Sequence, residues 1–277
     1  METFVIVTYC ASDDAKKILG IVDDPQTNVG ISQIMTTIIV AAKYFGGNHK
    51  LAQEFLYEHR YFHYKLSNSR FNRRVHAMPV GYFNELMIHF GEYAKMANES
   101  YEYSVDSFPI KFCENIRISR NKLFDPKRFR GFIASKRCYF LGIRVQMIST
   151  SNRLPVEFKI VPGAESDTKS VKSLSFNLPQ GSVVYGDKAY SNYKFEDELK
   201  MTKNIELKPL RKKNSTRIRD ASEENFIKRK RRSIESLFGA ISNLLPKKIH
   251  AVTAVGFLKK AFCFILAHCM GCYRVAT

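Results

Sequence analysis

CYFLGIRVQMISTSNRLPVEFKIVPG, residues 138–163, decides the fold. Cys138 to Ser149 is apolar and rich in aromatic and β-branched residues, the composition of a buried strand. Leu154 to Val161 alternates, the period of a second strand, and Pro162-Gly163 turns the chain. So short a link between two strands makes them antiparallel. Working outward, Tyr101 to Ile110 reads as a strand upstream, while Gly181 to Tyr185 (GSVVY) and Ile205 to Leu210 read as strands downstream. Helices are expected from Asp167, as the capping residue, through Leu174 and over Ser191 to Met201. A long helix runs from about Ser222 to Leu245, where Pro246 ends it.

The order is three strands, helix, strand, helix, strand, long helix. It predicts an α/β domain with a mixed five-stranded sheet flanked by helices. The first three strands are antiparallel, and the last two join through helical crossovers parallel to the first. This order resembles the ribonuclease H-like fold. The first hundred residues read instead as all-α. Ile31, Ile34, Ile38, Ile39 and Ala42 recur at helical spacing, and Gly46-Gly47-Asn48 breaks that helix. A second helix follows from Lys50 with Leu51, Phe55 and Leu56 on one face. A capped basic helix starts within Leu66–Arg74, and Val80 to Ala97 is amphipathic. The expected division is a helical domain over 1–98, compatible with DNA binding or with a plain bundle, and a sheet domain over 99–277 with a basic loop at 211–221 and C-terminal helices.

Of 277 residues, 44 are Lys or Arg and 26 are Asp or Glu, a formal charge of +18. Asn115–Arg137 holds eight basic residues and one acidic, and Lys203–Lys248 holds fourteen basic and five acidic. Nearly all of the surplus sits in these two stretches, a pattern of patches facing one polyanion. Solvated basic faces without a ligand are the plainer alternative. The longest uncharged runs, Val29–Ala42 and Ala261–Tyr273, fall short of the ~20 apolar residues that cross a bilayer, so no membrane partner is expected. The amino-terminal residues METFVIVTYCASDDAKK lack the pattern of a secretory leader. Six irregularly spaced cysteines argue for a reducing cytosol, and Cys269-x-x-Cys272 beside His268 lacks the second pair that a structural zinc site wants.

Three acids stand out. Asp106 ends the run Tyr103-Ser104-Val105, and Asp187 follows Val183-Val184-Tyr185-Gly186. Charge at the end of a buried strand is expensive unless it is used or paired. Glu235 lies in the long helix on a stripe of Lys228, Arg231, Gly239 and Ser242, beside an apolar face. Three carboxylates in one cleft repel one another, and a divalent cation reverses that penalty. Hard oxygen ligands suit Mg2+ or Mn2+, and two such ions can clamp an in-line phosphoryl displacement. Singly, each acid has a bland reading: Asp106 as a turn cap before Pro109, Asp187 in a local turn, Glu235 paired with Arg231.

Several blocks together resemble the DDE transposases of bacterial insertion sequences, above all the insertion-sequence 982 family. They are SRFNRRVH (69–76), VDSFPI (105–110), LPVEFKIVPG (154–163), LPQGSVVYGDKAY (178–190), RKKNS (211–215), RRSIESLFGAI (231–241) and IHAVT (249–253). The resemblance implies a ribonuclease H-like catalytic domain whose acid triad maps to Asp106, Asp187 and Glu235. It implies a DNA transposase that uses Mg2+ or Mn2+, two ions being expected. Such an enzyme cuts phosphodiester bonds at element ends and joins the 3′-hydroxyl to target DNA. Related enzymes carry Y-x2-R-x3-E-x6-K around the last acid. Here Arg231 and Glu235 fit, but Lys228 stands at the Tyr position and Ser242 at the Lys position, with Lys247 and Lys248 as candidate substitutes. The expected DNA contacts are Arg73, Arg74, Lys188, Arg211, Lys212, Lys213, Lys228, Arg231 and Arg232. The expected partner is double-stranded DNA, terminal inverted repeats and target, bound by a homodimer or larger assembly in the bacterial cytoplasm at the nucleoid. The rival readings are a metal nuclease of the same fold that does not join ends, and a DNA-binding relic or repressor.

Overall fold

The computed structural model describes residues 1–273, without the side chain of Ser135. The chain forms two compact units: Met1–Phe90 with the residues from Ala240 onward, and Gly91–Gly239. The expected division at 98/99 had grouped the C-terminal residues with the sheet. Instead, they pack with the amino-terminal helices, because their apolar helix needs another apolar helix to cover it.

The first unit is helical: α1 (Glu2–Ile18), α2 (Ile31–Tyr44), α3 (His49–Glu58), α4 (Asn68–Ala77) and the start of α5 (Val80–Met96). Helix α2 is its centre, buried from Ile34 through Ala42 on every side, as a helix apolar all round must be. Gly46 and Gly47 turn the chain at positive φ of 56° and 82°, and Asn48 then caps α3 by accepting the amides of Lys50 and Leu51. Ser67 caps α4 through the Arg70 amide, as its sequence suggests. Leu51, expected on the buried face, is exposed; Ala52, Gln53 and Leu56 are the residues α3 buries.

The last helix of the chain, Ala254–Cys272, also belongs to this unit. It is long and apolar enough to cross a bilayer, yet 56% of its apolar window is buried inside the protein. Counting uncharged runs hid its length, because Lys259 and Lys260 interrupt the run. Lys259 is buried, and its Nζ donates to the carbonyls of Val75 (2.9 Å), His76 (2.6 Å) and Met78 (2.8 Å). These are carbonyls at the end of α4 that no turn of helix satisfies, and a cation also suits the negative end of the dipole. Cys263 and Cys269 in the same helix are buried, and burial pushes the Cys263 thiol up to about 12.

The second unit is built on a mixed sheet. β1 (Glu102–Glu114) pairs antiparallel with β3 (Cys138–Thr150), which pairs antiparallel with β4 (Pro155–Pro162). On its other side β1 pairs parallel with β5 (Val183–Gly186), and β5 pairs parallel with β6 (Glu206–Pro209). The spatial order β4-β3-β1-β5-β6 realises the expected arrangement of three antiparallel strands and two parallel additions. A short sixth strand, β2 (Arg130–Ile133), follows the one-turn helix α6 (Pro126–Phe129) and pairs with the start of β3. Helices α7 (Asp167–Ser170) and α8 (Tyr193–Lys203) lie in the crossovers, and α9 runs over Ala221–Leu244. Asp167 opens α7 rather than capping it; its Oδ1 accepts from Ser107 Oγ at 2.6 Å, and Ser166 holds the cap position.

Candidate active site

Strand register brings two of the three acids together. In the parallel pair, Ser104 stands opposite Tyr185. Two residues beyond that last pair come Asp106, still within β1, and Asp187, just past the end of β5, both on the side that meets Arg231. Asp106 sits inside β1, not at its end, because β3 pairs with that strand as far as Glu114. What ends there is the parallel pairing with β5; Asp187 follows at once, preceding a 3-10 turn over Lys188–Tyr190.

Helix α9 covers this face. Lys230 Nζ pairs with Glu102 Oε2 at 2.5 Å, and Ser104 Oγ donates to the Lys230 carbonyl at 3.4 Å. Tyr185 packs on the fully buried Ile227 and meets the Phe226 ring at 5.9 Å. These contacts fix the helix so that the next side chain, Arg231, reaches both acids. Its Nη2 lies 2.7 Å from Asp106 Oδ2 and its Nη1 3.5 Å from Asp187 Oδ1. One guanidinium thus spans two carboxylates.

Asp106 is mostly shielded from water. Burial pushes its carboxyl above the usual carboxylate range, the Arg231 charge pulls it back, and the Ser107 amide at 2.8 Å helps. The charge of Asp187 adds a smaller upward push. Behind Asp106 lies a buried relay. Gln146 Nε2 donates to the Tyr190 hydroxyl at 3.0 Å, and that hydroxyl is 3.5 Å from Asp106 Oδ1. Gln146 Nε2 also approaches the Asp106 carbonyl at 3.4 Å, and its Oε1 accepts from Ser170 Oγ at 2.9 Å. Burial first, then the Asp106 charge, holds the Tyr190 phenol well above its ordinary value, so it serves as a neutral donor. The GDKAY block contained Tyr190, but no local pattern distinguishes an aromatic that packs from one that also orients a carboxylate.

Glu235 follows Arg231 by one helical turn and is exposed, whereas Asp187 is 45% exposed. Among the described residues, no group of three or more His, Cys, Asp or Glu is arranged to hold a metal ion. Asp106 and Asp187 nevertheless already share a single positive charge, and two hard oxygen donors aimed at one cation suit a divalent metal in kind. Arg231 Nε is buried without a hydrogen-bond partner among the described residues.

The cations expected at DNA divide into two classes. Lys188, Lys212, Lys213, Lys228 and Arg232 are exposed, as is Arg73 in the helical unit. Three others are committed inside the protein. The Arg211 side chain is 7% exposed and forks onto Glu196 at 2.8 and 2.5 Å, with Ser191 Oγ at 3.0 Å; a bidentate partner in low dielectric outcompetes solvent. Arg74 donates to Thr27 Oγ1 at 2.8 Å and to the Val29 carbonyl. Arg231 faces the acids. The basic loop is strapped down by Tyr193, whose hydroxyl meets Ser215 Oγ at 2.6 Å and the Thr216 amide at 3.0 Å, and Arg217 forks onto Asp197. Those hydrogen bonds lower the Tyr193 phenol to about 8. All eight basic residues of 115–137 are exposed.

A family described as Transposase DDE domain matches residues 97–250, more than half of the chain. Comparison with curated proteins gave no match. Among solved structures, the chain is similar to the piggyBac transposase, seen by cryo-electron microscopy in a synaptic complex with hairpin DNA. The TM-score is 0.53 over 99% of this chain and 73% of that one, at 10% identity, a likeness of fold alone.

Proposed function

Because the chain belongs to the transposase DDE-domain family, we propose that it is a DNA transposase whose acids are Asp106, Asp187 and Glu235. The observation that carries the site is the shared cation: the carboxylates of Asp106 within β1 and of Asp187 just after β5 both meet Arg231 of the covering helix. The order of the sheet supports a ribonuclease H-like domain. Asp106 and Asp187 would hold a divalent Mg2+ or Mn2+, with Glu235 as the third ligand. When bound, such an ion activates a water or 3′-hydroxyl and stabilises the leaving oxygen.

The chain's own residues do the rest. Tyr190 and Gln146 hold Asp106 from behind through Oδ1 and the backbone carbonyl, which leaves Oδ2 turned toward a cation, as it is to Arg231. Arg231 neutralises the pair before substrate arrives and is placed to meet phosphate charge afterwards. Lys188, Lys212, Lys213, Lys228 and Arg232 would grip backbone phosphates on either side. The reaction is cleavage at terminal inverted repeats and joining of the 3′-hydroxyl to target DNA. Two ends must meet, which calls for a dimer or larger assembly. The motif blocks resemble those of the insertion-sequence 982 family, which supports a bacterial enzyme that acts at the nucleoid.

The test is strand cleavage and strand transfer on DNA carrying the element's ends, with Mg2+, wild type against Asp187→Asn. Loss of both activities in the variant supports the assignment; equal activity refutes the role of that acid. Cleavage without joining favours a nuclease of the same fold. The bridging of the two acids by Arg231 favours a second reading, a DNA binder without catalysis. Binding retained with no metal-dependent cleavage would establish it.

A further inference from the structure

The hairpin formed by β2 and the start of β3 carries exposed aromatic rings that the acid site does not use. Phe132 stands directly opposite Tyr139, and Arg130 lies two residues before Phe132. Opposite and alternate residues share a face of a strand pair, so these three project from one side, with Gly131 and Phe140 on the other. The Phe132 and Tyr139 rings lie 5.0 Å apart, tilted by 52°, and the Arg130 guanidinium sits 4.2 Å from the Tyr139 ring centre. Even so, Phe132 is 43% exposed and Tyr139 48%. Single exposed aromatics are ordinary, but a pair matched by register is an apolar patch held in water at a cost.

The underside of the hairpin is fixed. A Cβ on Gly131 would collide with the Gly163 carbonyl and the buried Phe140 ring, so the ribbon lies directly against the turn after β4. Arg144 clamps it there: Nη2 donates to the Phe132 carbonyl at 3.0 Å and Nε to the Gly163 carbonyl at 3.3 Å. The Ala164 amide donates to the Arg128 carbonyl at 3.2 Å. The rings thus stand on a rigid base, which lowers the ordering cost of binding. The charge around them has one sign. Pro126 to Val156 contains seven Lys or Arg and not one Asp or Glu. Asp125 is spent on capping α6, and Glu114, which stands opposite Phe140, pairs with Lys111.

We propose that this hairpin is a stacking platform for the unpaired bases of single-stranded DNA, as a cut strand would expose them. A nucleobase has apolar faces and its strand is anionic; aromatic rings among cations with no free acid match both properties. An apolar protein surface would use the rings and leave the cations idle. A duplex would use the cations and leave the rings idle, because its bases already stack on one another. Arg130, Lys136 and Arg137 are exposed on the same hairpin and take the adjoining phosphates. The choice of DNA over RNA rests on the proposed transposase function.

Two measurements on the full chain test this. The chain has no tryptophan, so Phe132→Trp installs a unique reporter that keeps the stack. Its emission should be quenched by oligothymidylate and left nearly unchanged by a blunt duplex. The second measurement is the affinity for fluorescein-labelled oligothymidylate, for wild type and for the double variant Phe132→Ala, Tyr139→Ala. Loss of two stacking faces should weaken binding about tenfold or more. The log–log salt slope should stay the same, because every cation remains. Affinity for the blunt duplex should also stay the same, which an unfolded variant would not show, and Phe132→Tyr, Tyr139→Phe should bind like wild type. Oligothymidylate bound equally by wild type and the double Ala variant overturns the proposal. Equal quenching by duplex and single strand overturns it too, since the rings would then meet a groove and not free bases. Emission that shifts to the blue with protein concentration and no DNA makes the hairpin an interface between copies and overturns it as well. Tighter binding of oligouridylate than of oligothymidylate overturns the DNA assignment. Quenching by the single strand without any metal-dependent cleavage removes the proposed catalysis and leaves this inference standing.

Discussion

Replacing Arg231 with Met isolates the balance of charge at the acid site. The guanidinium is 12% exposed and serves Asp106 at 2.7 Å and Asp187 at 3.5 Å. Its removal leaves a buried carboxylate with no cation and a second carboxylate nearby. Breaking a buried pair from one side costs about 3–5 kcal/mol. Asp187 is nearly half exposed, so water screens its share, and the expected loss is about 3 kcal/mol, arising mainly at Asp106. The pH dependence has a definite sign. Burial already raises the Asp106 pKa, so the folded state holds that proton more tightly than the unfolded chain. Stability therefore falls as pH rises through the folded pKa, and without Arg231 the fall extends to higher pH. Urea unfolding followed by circular dichroism at pH 5 and pH 8, in chelator, measures this. The loss should be larger at pH 8, and Asp106→Asn added to Arg231→Met should recover most of it. Millimolar Mn2+ should stabilise Arg231→Met more than wild type, since the ion takes over the vacated charge. A variant as stable as wild type at pH 8 in chelator would refute the claim that Arg231 holds these acids together.

Other outcomes follow from the same geometry. Tyr190→Phe removes the hydroxyl between Gln146 and Asp106; it should cost about 1 kcal/mol and, if the cleavage reading holds, lower kcat more than substrate affinity. Glu196→Gln breaks the buried fork with Arg211 and should cost about 3 kcal/mol, read as a lower urea midpoint. Lys259→Met leaves three carbonyls at the end of α4 without a donor and should cost about 2–3 kcal/mol. Burial lowers the Lys259 pKa, so wild-type stability should rise with pH in the alkaline range, and melts of Lys259→Met should lack that rise.

The strands of the sheet unit were legible because each carries its own signal. Alternation in 154–161 and a β-branched run in 138–149 need no knowledge of their neighbours. The strand β2 was not legible, since RGFI lies in a basic stretch and extends only because the start of β3 offers it an edge. The position of Asp106 within β1 depended on how far β3 reaches, which is a property of the partner strand. At the site, the sequence marked the acids by their place after apolar runs, and the fold then put two of them beside one guanidinium. It gave no sign that Arg211 would turn inward, because Glu196, its partner, is fifteen residues away on α8 while Arg211 lies in the loop after β6. Nor did it reveal where the helix Ala254–Cys272 packs, since an apolar run does not say which surface will cover it.

The split of the helical unit between the two ends of the chain has a consequence for biosynthesis. Helix α4 is translated early, but the lysine that closes its end emerges about 180 residues later, after the whole sheet unit. At ribosomal speeds of about 5–20 residues per second, that delay is roughly ten to forty seconds. During this time the nascent amino-terminal helices carry an uncovered apolar seam. A chaperone, or the ribosome surface itself, must shield it until the carboxy-terminal helix arrives, so premature termination anywhere after residue 90 should yield aggregates and not a smaller soluble fragment.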